Sequence, residues 1–256
     1  MSIVSFDLEG DFAAFKDPSV TTNQTVTIIP SKSALIGLLG AMLGVKRSNS
    51  IFGDMYSEGY LDLLKKTSVG IKVRSQVAKC TFFTNHRSLK EAKTKPYKTE
   101  LLVNPKYTVY VKSTKDVNQT LLDRLKDNRF VFSPMLGHAY CPARISQFRE
   151  ILGVIEVKPD ELQVSTVILD EVMESKSRTP GLRFEQFSDF PAKVMVERHL
   201  HHYIDGDSLK RVVLRHFIPV PENDKDSVIE IEHYTSCLSL AKFYSVEGSE
   251  QALCLF

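Results

Sequence analysis

The stretch IPSKSALIGLLGAMLGV, Ile29 to Val45, decides how the rest of the chain is read. Its apolar residues recur at helical spacing, yet Gly37, Gly40 and Gly44 interrupt it. A glycine in a helix interior costs roughly 1 kcal/mol relative to alanine, so each needs a reason. A nucleotide-phosphate loop is not that reason, because the chain has neither GxxxxGK[ST] nor a strand–GxGxxG–helix pattern. The Gly40–Gly44 spacing fits a membrane dimer face, but the apolar run from Ala34 to Val45 is 12 residues, short of the roughly 20 that span a bilayer. What remains is close packing of the helix backbone against a sheet. Ser31 or Ser33 caps the helix, leaving backbone N–H groups around Lys32 to receive an anion.

Before this helix, SIVSFDL alternates, with Ile3, Ser5 and Asp7 on one face and Val4, Phe6 and Leu8 on the other. After it come a helical turn or two at Tyr60–Lys66, then SVGIKVRSQVAKCTFF, the loop HRSLKEAKTKPYK and TELLVNPKYTVYVK. Two long strands around a basic tip predict an extended hairpin. Asp116–Lys126 is a helix whose apolar face is Val117, Leu121, Leu122 and Leu125. A turn at Leu136-Gly137-His138 leads to ILGVIEV, expected as the strand that completes a β-α-β-β-α-β order. That is the ferredoxin-like split βαβ arrangement. The expectation is therefore an α+β protein: a ferredoxin-like domain over residues 1–157, a protruding hairpin near 74–107, and a smaller β-rich region over 158–256. ESKSRTPGLRFEQ in that second region reads as a loop.

Of the 256 residues, 43% are apolar and 25% charged, the composition of an ordinary soluble globular protein. MSIVSFDLEG lacks the basic start and apolar core of a signal peptide, and Cys80, Cys141, Cys237 and Cys254 form no CxxC. Reduced thiols and a cytoplasmic location are the expectation. The net charge of +2 conceals a concentration: residues 65–112 hold 12 Lys/Arg against 2 Asp/Glu, and the remainder 21 against 29. One basic segment on an otherwise acidic chain points to a polyanion site of limited extent, or to a solvated lysine-rich hairpin.

An opening strand, FAAFKDP and then IPSKSALIGLLGAMLGV together resemble the N-terminal signature of a CRISPR-associated family, the RAMP-type Cas-five subunit of type I Cascade complexes. About a hundred residues later PMLGHAYCPARI is similar to the family's Pro-x-LG-x-x-x-CP-A loop. The resemblance implies an RNA-recognition fold with a hairpin thumb that caps the 5′ handle of crRNA and contacts the large and backbone subunits. Contact with target DNA near the PAM stays open. No cofactor, metal or membrane is implied. The residues fit handle binding, because single-stranded RNA is held by basic grooves, stacking side chains and backbone N–H groups. Ser31, Lys32 and Ser33 supply N–H groups and a cation; Gly137, His138 and Tyr140 supply close backbone approach and a stacking ring; Phe15 and Lys16 lie just past the first strand. Arg74, Lys79, Arg87, Lys90, Lys93, Lys95 and Lys98 would make the thumb.

Two further readings belong to other function classes. In one subtype of the family the same subunit cuts precursor RNA, and metal-free cleavage needs a base, an acid and a cation. His86, Tyr97 and Lys95 have those types, but a loop is poor support for catalytic geometry. The other reading is a protein-only adaptor. Glu197-Arg-His-Leu-His-His202 invites a metal, but His199 and His201 share a strand face while His202 points away, and there is no HExxH. A surface or half-buried histidine cluster is the expectation there. Cys141 beside Pro142 reads as a small buried residue in a turn.

Overall fold

The computed structural model describes residues 2–18, 20, 24–49, 56–87, 94–170, 182–183, 193–221, 227–234 and 238–256. In order they form β1 (Ile3–Glu9), β2 (Phe12–Ala13), α1 (Lys32–Leu43), α2 (Glu58–Lys66), β3 (Ser68–Val73), β4 (Ala78–Arg87), β5 (Thr94–Val103), β6 (Lys106–Lys112), α3 (Lys115–Asp127) and β7 (Arg144–Ile151). The strands that follow are β8 (Val154–Val157), β9 (Asp160–Val164), β10 (Ile168–Asp170), β11 (Leu182–Arg183), β12 (Lys193–Asp205), β13 (Ser208–Val220), β14 (Ile229–Tyr234), β15 (Lys242–Val246) and β16 (Leu253–Leu255). The class is α+β, and the strands of each sheet pair antiparallel.

The central sheet runs β3-β6-β1-β7. Alternation in β1 places Val4, Phe6 and Leu8 on the face that α1 and α3 cover, where they join Leu35, Ile36, Leu39, Met42, Leu121 and Leu125 in one core. The opposite face is also covered. Ile3 and Tyr110 pack there against Val154, Tyr244, Leu253 and Leu255 from the sheet β16-β15-β8. Further along that face Asp7 accepts from Arg74 at 2.6 Å and Thr108 at 2.8 Å.

The strand that closes this sheet is β7, not ILGVIEV. RISQFREI is an edge strand with most of its side chains in solvent, so it carries no apolar alternation to read. VIEV instead forms β8 and pairs with β15. The β4–β5 hairpin is inserted between β3 and β6 and aligns Ala78 with Val103 through Arg87 with Thr94. Its base is buried at Leu101 and Leu102, and its outer half is exposed.

The β12–β13 hairpin is 13 residues per strand. It packs its inner face on the core through Leu214 and Ile218, and it reaches the approach to α1. Both carboxylate oxygens of Glu197 accept from the Ile28 amide at 2.9 Å, and the Tyr107 hydroxyl donates to the Ile28 carbonyl. These bonds set the direction in which the chain enters α1. No helix among the described residues is long and apolar enough to cross a membrane.

Candidate nucleic-acid interface

Helix α1 begins at Ser31, which has extended φ/ψ and accepts from the Ala34 amide through its Oγ at 3.3 Å. Ser31 and Ser33 hydroxyls are 3.0 Å apart. The helix ends at Gly44, in the left-handed region with φ +86, whose amide donates to the Gly40 carbonyl at 2.8 Å. Gly44 is thus a C-cap, where glycine is favoured. Gly40 is required for a different reason: a Cβ there would lie 2.9 Å from the Val45 carbonyl that folds back over it. Gly37 is different again. Among the described residues nothing lies within 4 Å of where its Cβ would be. The expected close packing against a sheet is therefore wrong for Gly37, which faces open space.

That space is a cleft of about 400 Å³ lined by Phe15, Pro30, Ser33, Ala34, Gly37 and Leu38 on one side and by Ser133, Met135, Leu136 and Gly137 on the other. Arg47 is the ionisable residue among those lining it. Its guanidinium stands over the Tyr56 ring at 5.2 Å, Tyr56 stacks on Tyr60 at 5.1 Å, and the Tyr60 hydroxyl donates to the Ser33 carbonyl at 3.3 Å. The two sequence motifs that lie a hundred residues apart thus form opposite walls of one cleft.

The second wall is a tight loop. Leu136 N donates to Cys141 O at 2.8 Å, Cys141 N to His138 O at 2.9 Å and Ala143 N to Pro134 O at 3.0 Å. Cys141 is fully buried in it, and burial pushes its thiol upward. His138 and Tyr140 stack on each other at 5.0 Å with planes 11° apart, and Tyr140 is 55% exposed. Gly137 lines the cleft, but its close backbone approach is to Ala14 of the same chain.

Several expected site residues are held elsewhere. Phe15 is not a free aromatic at a sheet edge: it is 6% exposed and packs at 6.3 Å from the Tyr107 ring, meeting the cleft only at its floor. Lys16 is exposed on a short bridge to Val26 and does not line the cleft. Lys32 is not an available cation. It is buried beside His201, and burial pushes its ammonium down to about 8. Arg74 is bound by Asp7 and by Glu9 at 3.3 Å, and Lys79 donates to the Val26 carbonyl at 2.6 Å. Arg87 is exposed on β4, and Lys98 on β5 has Glu100 at 3.6 Å. Lys95 and Tyr97 share one face of β5, but the side chain of His86 lies outside the description. Lys90 and Lys93 lie outside the described residues.

The histidine cluster is buried, which corrects the expectation of a surface or half-buried group. His199, His201, His202 and His216 are at most 8% exposed. The His199 and His216 rings meet edge-on at 4.6 Å, and Phe256 packs on His201 and His216. His199 Nε2 lies 3.2 Å from Glu197. His216 arrives from β13, so the four rings come from two strands and the sequence run shows only three. Among the described residues no group of three His, Cys, Asp or Glu side chains can hold a metal ion. Sequence reasoning missed Arg47, which lines the cleft, and Phe83, which faces solvent. Arg47 stands in no recognisable motif, and Phe83 has the pattern of any strand phenylalanine.

Across known proteins, no curated sequence matches the chain. Among solved structures it is similar to a CRISPR protein from Archaeoglobus fulgidus, with a TM-score of 0.58 at 11% identity over 99% of each chain. It is also similar to a chain of a CRISPR RNA-guided surveillance complex, with a TM-score of 0.43 at 15% identity over 90% of this chain and 91% of the other. The family model described as CRISPR-associated protein (Cas_Cas5) matches residues 3–226. With that span covering most of its length, the chain belongs to this CRISPR-associated protein family.

Proposed function

We propose that this chain is the crRNA-binding subunit of a type I Cascade effector complex, capping the 5′ handle of the crRNA and contacting the large and backbone subunits. Family membership supports the general reading. The observation that carries the site is the cleft itself, where the Ser33–Gly37 face of α1 meets the Ser133–Gly137 loop with Arg47 at its edge. A helix N-terminus, two hydroxyls and one guanidinium suit a phosphate backbone with an unpaired base beside it.

In the same reading the strand order β3-β6-β1-β7 is that of a ferredoxin-like domain over residues 1–157, the β4–β5 hairpin is its thumb, and 158–256 is the β-rich region that braces it. Part of the sheet face that many RNA-recognition folds leave open is covered here: Ile3 and Tyr110 lie under β15 and β16, and beyond them Asp7 and Glu9 bind Arg74 and Ser5 accepts from Arg149. This supports a path for the RNA along the helix side, the loop and the hairpin.

The cleft lining supplies a cation and hydroxyls but, among the described residues, no imidazole, carboxylate or phenol to move a proton. The test is fluorescence anisotropy of purified protein with a handle-bearing repeat RNA and a scrambled RNA of equal length. The handle RNA should bind more tightly, and Arg47→Gln should remove most of that preference. Equal affinity for the two RNAs would sink handle recognition. Specific cutting of the repeat RNA without metal would replace binding by endoribonuclease activity.

A further inference from the structure

The β4–β5 hairpin displays a side chain that its own fold does not use. Phe83, in the middle of β4, is 72% exposed, the most of any large apolar residue described. Burying a phenylalanine is favourable by about 1.5–3 kcal/mol, so a ligand that covers this ring would gain from it.

Register identifies what surrounds it. Phe83 pairs directly with Lys98, while Thr81 pairs with Glu100 and Arg87 with Thr94. Residues 81, 83, 85 and 87 therefore share a face with 94, 96, 98 and 100. Lys98 lies about 5 Å across from Phe83, and Arg87 lies about 13 Å along the same strand. Lys98 is 43% exposed while its neighbour Glu100 is 17% exposed, so the cation is the outer of the two. An aromatic face with a cation beside it and another further along is the arrangement on which single-stranded nucleic acid stacks.

We propose that Phe83 is a stacking platform for one base of single-stranded RNA, with Lys98 across the ladder and Arg87 further along β4 holding phosphates of the same strand. This deepens the RNA-binding reading and rests on it. Lys98 and Arg87 outnumber the less exposed Glu100 on this face, so its charge favours a polyanion over an apolar protein strip.

The experiment uses the full chain and short single-stranded RNAs carrying a fluorescent aminopurine, whose emission falls on stacking. Phe83→Leu keeps the apolar volume but removes the π face, and Phe83→Tyr restores it. The leucine variant should bind RNA about 5- to 100-fold more weakly and lose the quenching, with no change in the slope of log K against log salt. The tyrosine variant should recover both. Lys98→Gln should reduce the salt slope by about 0.7. Phe83 is exposed, so all three variants should retain the wild-type denaturation midpoint. Wild-type affinity and quenching in Phe83→Leu would overturn the proposal while leaving RNA binding intact; a protein-docking role for Phe83 would give that result. Failure of the wild-type chain to bind any single-stranded RNA would overturn both readings together.

Discussion

The carbonyl oxygen of Ala14 occupies the place a side chain at Gly137 would need: a Cβ there would sit 2.1 Å from it. The two segments are tied by the Ala14 amide, which donates to Leu136 O at 2.9 Å. Gly137 also has φ +92, in the left-handed region. A non-glycine residue held in that region costs on the order of 1–3 kcal/mol before any clash. Gly137→Ala is therefore expected to lower stability by about 2 kcal/mol or more, measured as a drop in the urea midpoint. RNA affinity should fall together with stability, because the wall of the cleft is displaced. A variant with unchanged midpoint and selectively weakened RNA binding would show that the glycine serves the ligand and not the fold.

Lys32 makes a second prediction through its burial. Burial brings its ammonium down to about 8 from an ordinary 10.5, and it is the sole cause resolved. At pH 7 the group is charged in both folded and unfolded chains, so the folded state carries a penalty on the order of 3 kcal/mol. As pH rises from about 8 to about 10.5, the folded group sheds its proton before the unfolded one does, and the penalty disappears. Lys32→Met, similar in shape and uncharged, should be more stable than wild type at pH 7. The gap should close near pH 10. Because Lys32 is buried and is not among the residues lining the cleft, RNA affinity and its salt slope should not change. A less stable methionine variant at pH 7 would mean that Lys32 holds a partner the burial argument omits.

The histidines predict acid sensitivity. Burial lowers His201 to about 3, helped by the charges of Lys32, His202 and His199, and burial lowers His216 well below its ordinary value. Glu197, on the same face, sits against His199. Among the described residues both ring nitrogens of His201 and Nδ1 of His216 are buried with no hydrogen-bond partner, so a proton added at these atoms meets no acceptor. In the unfolded chain both titrate near 6.5. The unfolded state therefore binds more protons below that pH, and stability, fully present above about 6.5, falls as pH decreases toward 3. His201 and His216 alone bring the slope toward about 2.7 kcal/mol per pH unit below pH 6, and His202, also lowered by burial, adds to it. Urea titrations at pH 7.5, 6 and 5 should show it. His216→Phe should remove about half of the part owed to His201 and His216 while keeping the ring contact with Phe256. An unchanged slope in that variant would place the acid sensitivity elsewhere.

How much of this was legible depends on where each element gets its signal. Helix α1 carries its own punctuation, a serine cap at one end and a glycine at the other, and α3 carries an apolar stripe on a charged background. Both are readable without a partner. β7 is not, because its register comes from the backbone of β1 while its side chains face solvent. The cleft was half legible. Ser33 and Gly137 of the two motifs line it, but residue type alone points Phe15, Lys32, Arg74 and Lys79 outward. Lys32 is simply buried, and the partners of the other three, Tyr107, Asp7 and the Val26 carbonyl, lie 53 to 92 residues away along the chain. Spacing alone cannot predict contacts of that range. The histidines misled for the same reason, since His216 joins them only once β12 and β13 pair.

Gly37 gives the sharpest test of the cleft, because its two possible roles predict opposite results. A glycine inside α1 lowers helix stability by roughly 1 kcal/mol relative to alanine. Here no neighbour among the described residues lies within 4 Å of the missing Cβ to account for it. If the position serves only the fold, nothing explains the glycine. If it serves the cleft, the empty volume between α1 and the Ser133–Gly137 loop is what it preserves. Gly37→Ala should therefore stabilise the chain by up to about 1 kcal/mol, seen as a higher urea midpoint, with a modest loss of handle-RNA affinity. Gly37→Leu extends a branched side chain into the cleft from the same open position. It should fold as well as wild type and yet bind handle RNA at least about 10-fold more weakly, a loss of about 1.4 kcal/mol. The salt slope should be unchanged in both, since no charge is removed. A leucine variant that is fully folded and binds handle RNA like wild type would show that the RNA does not enter this cleft, and the hairpin would then have to carry recognition alone.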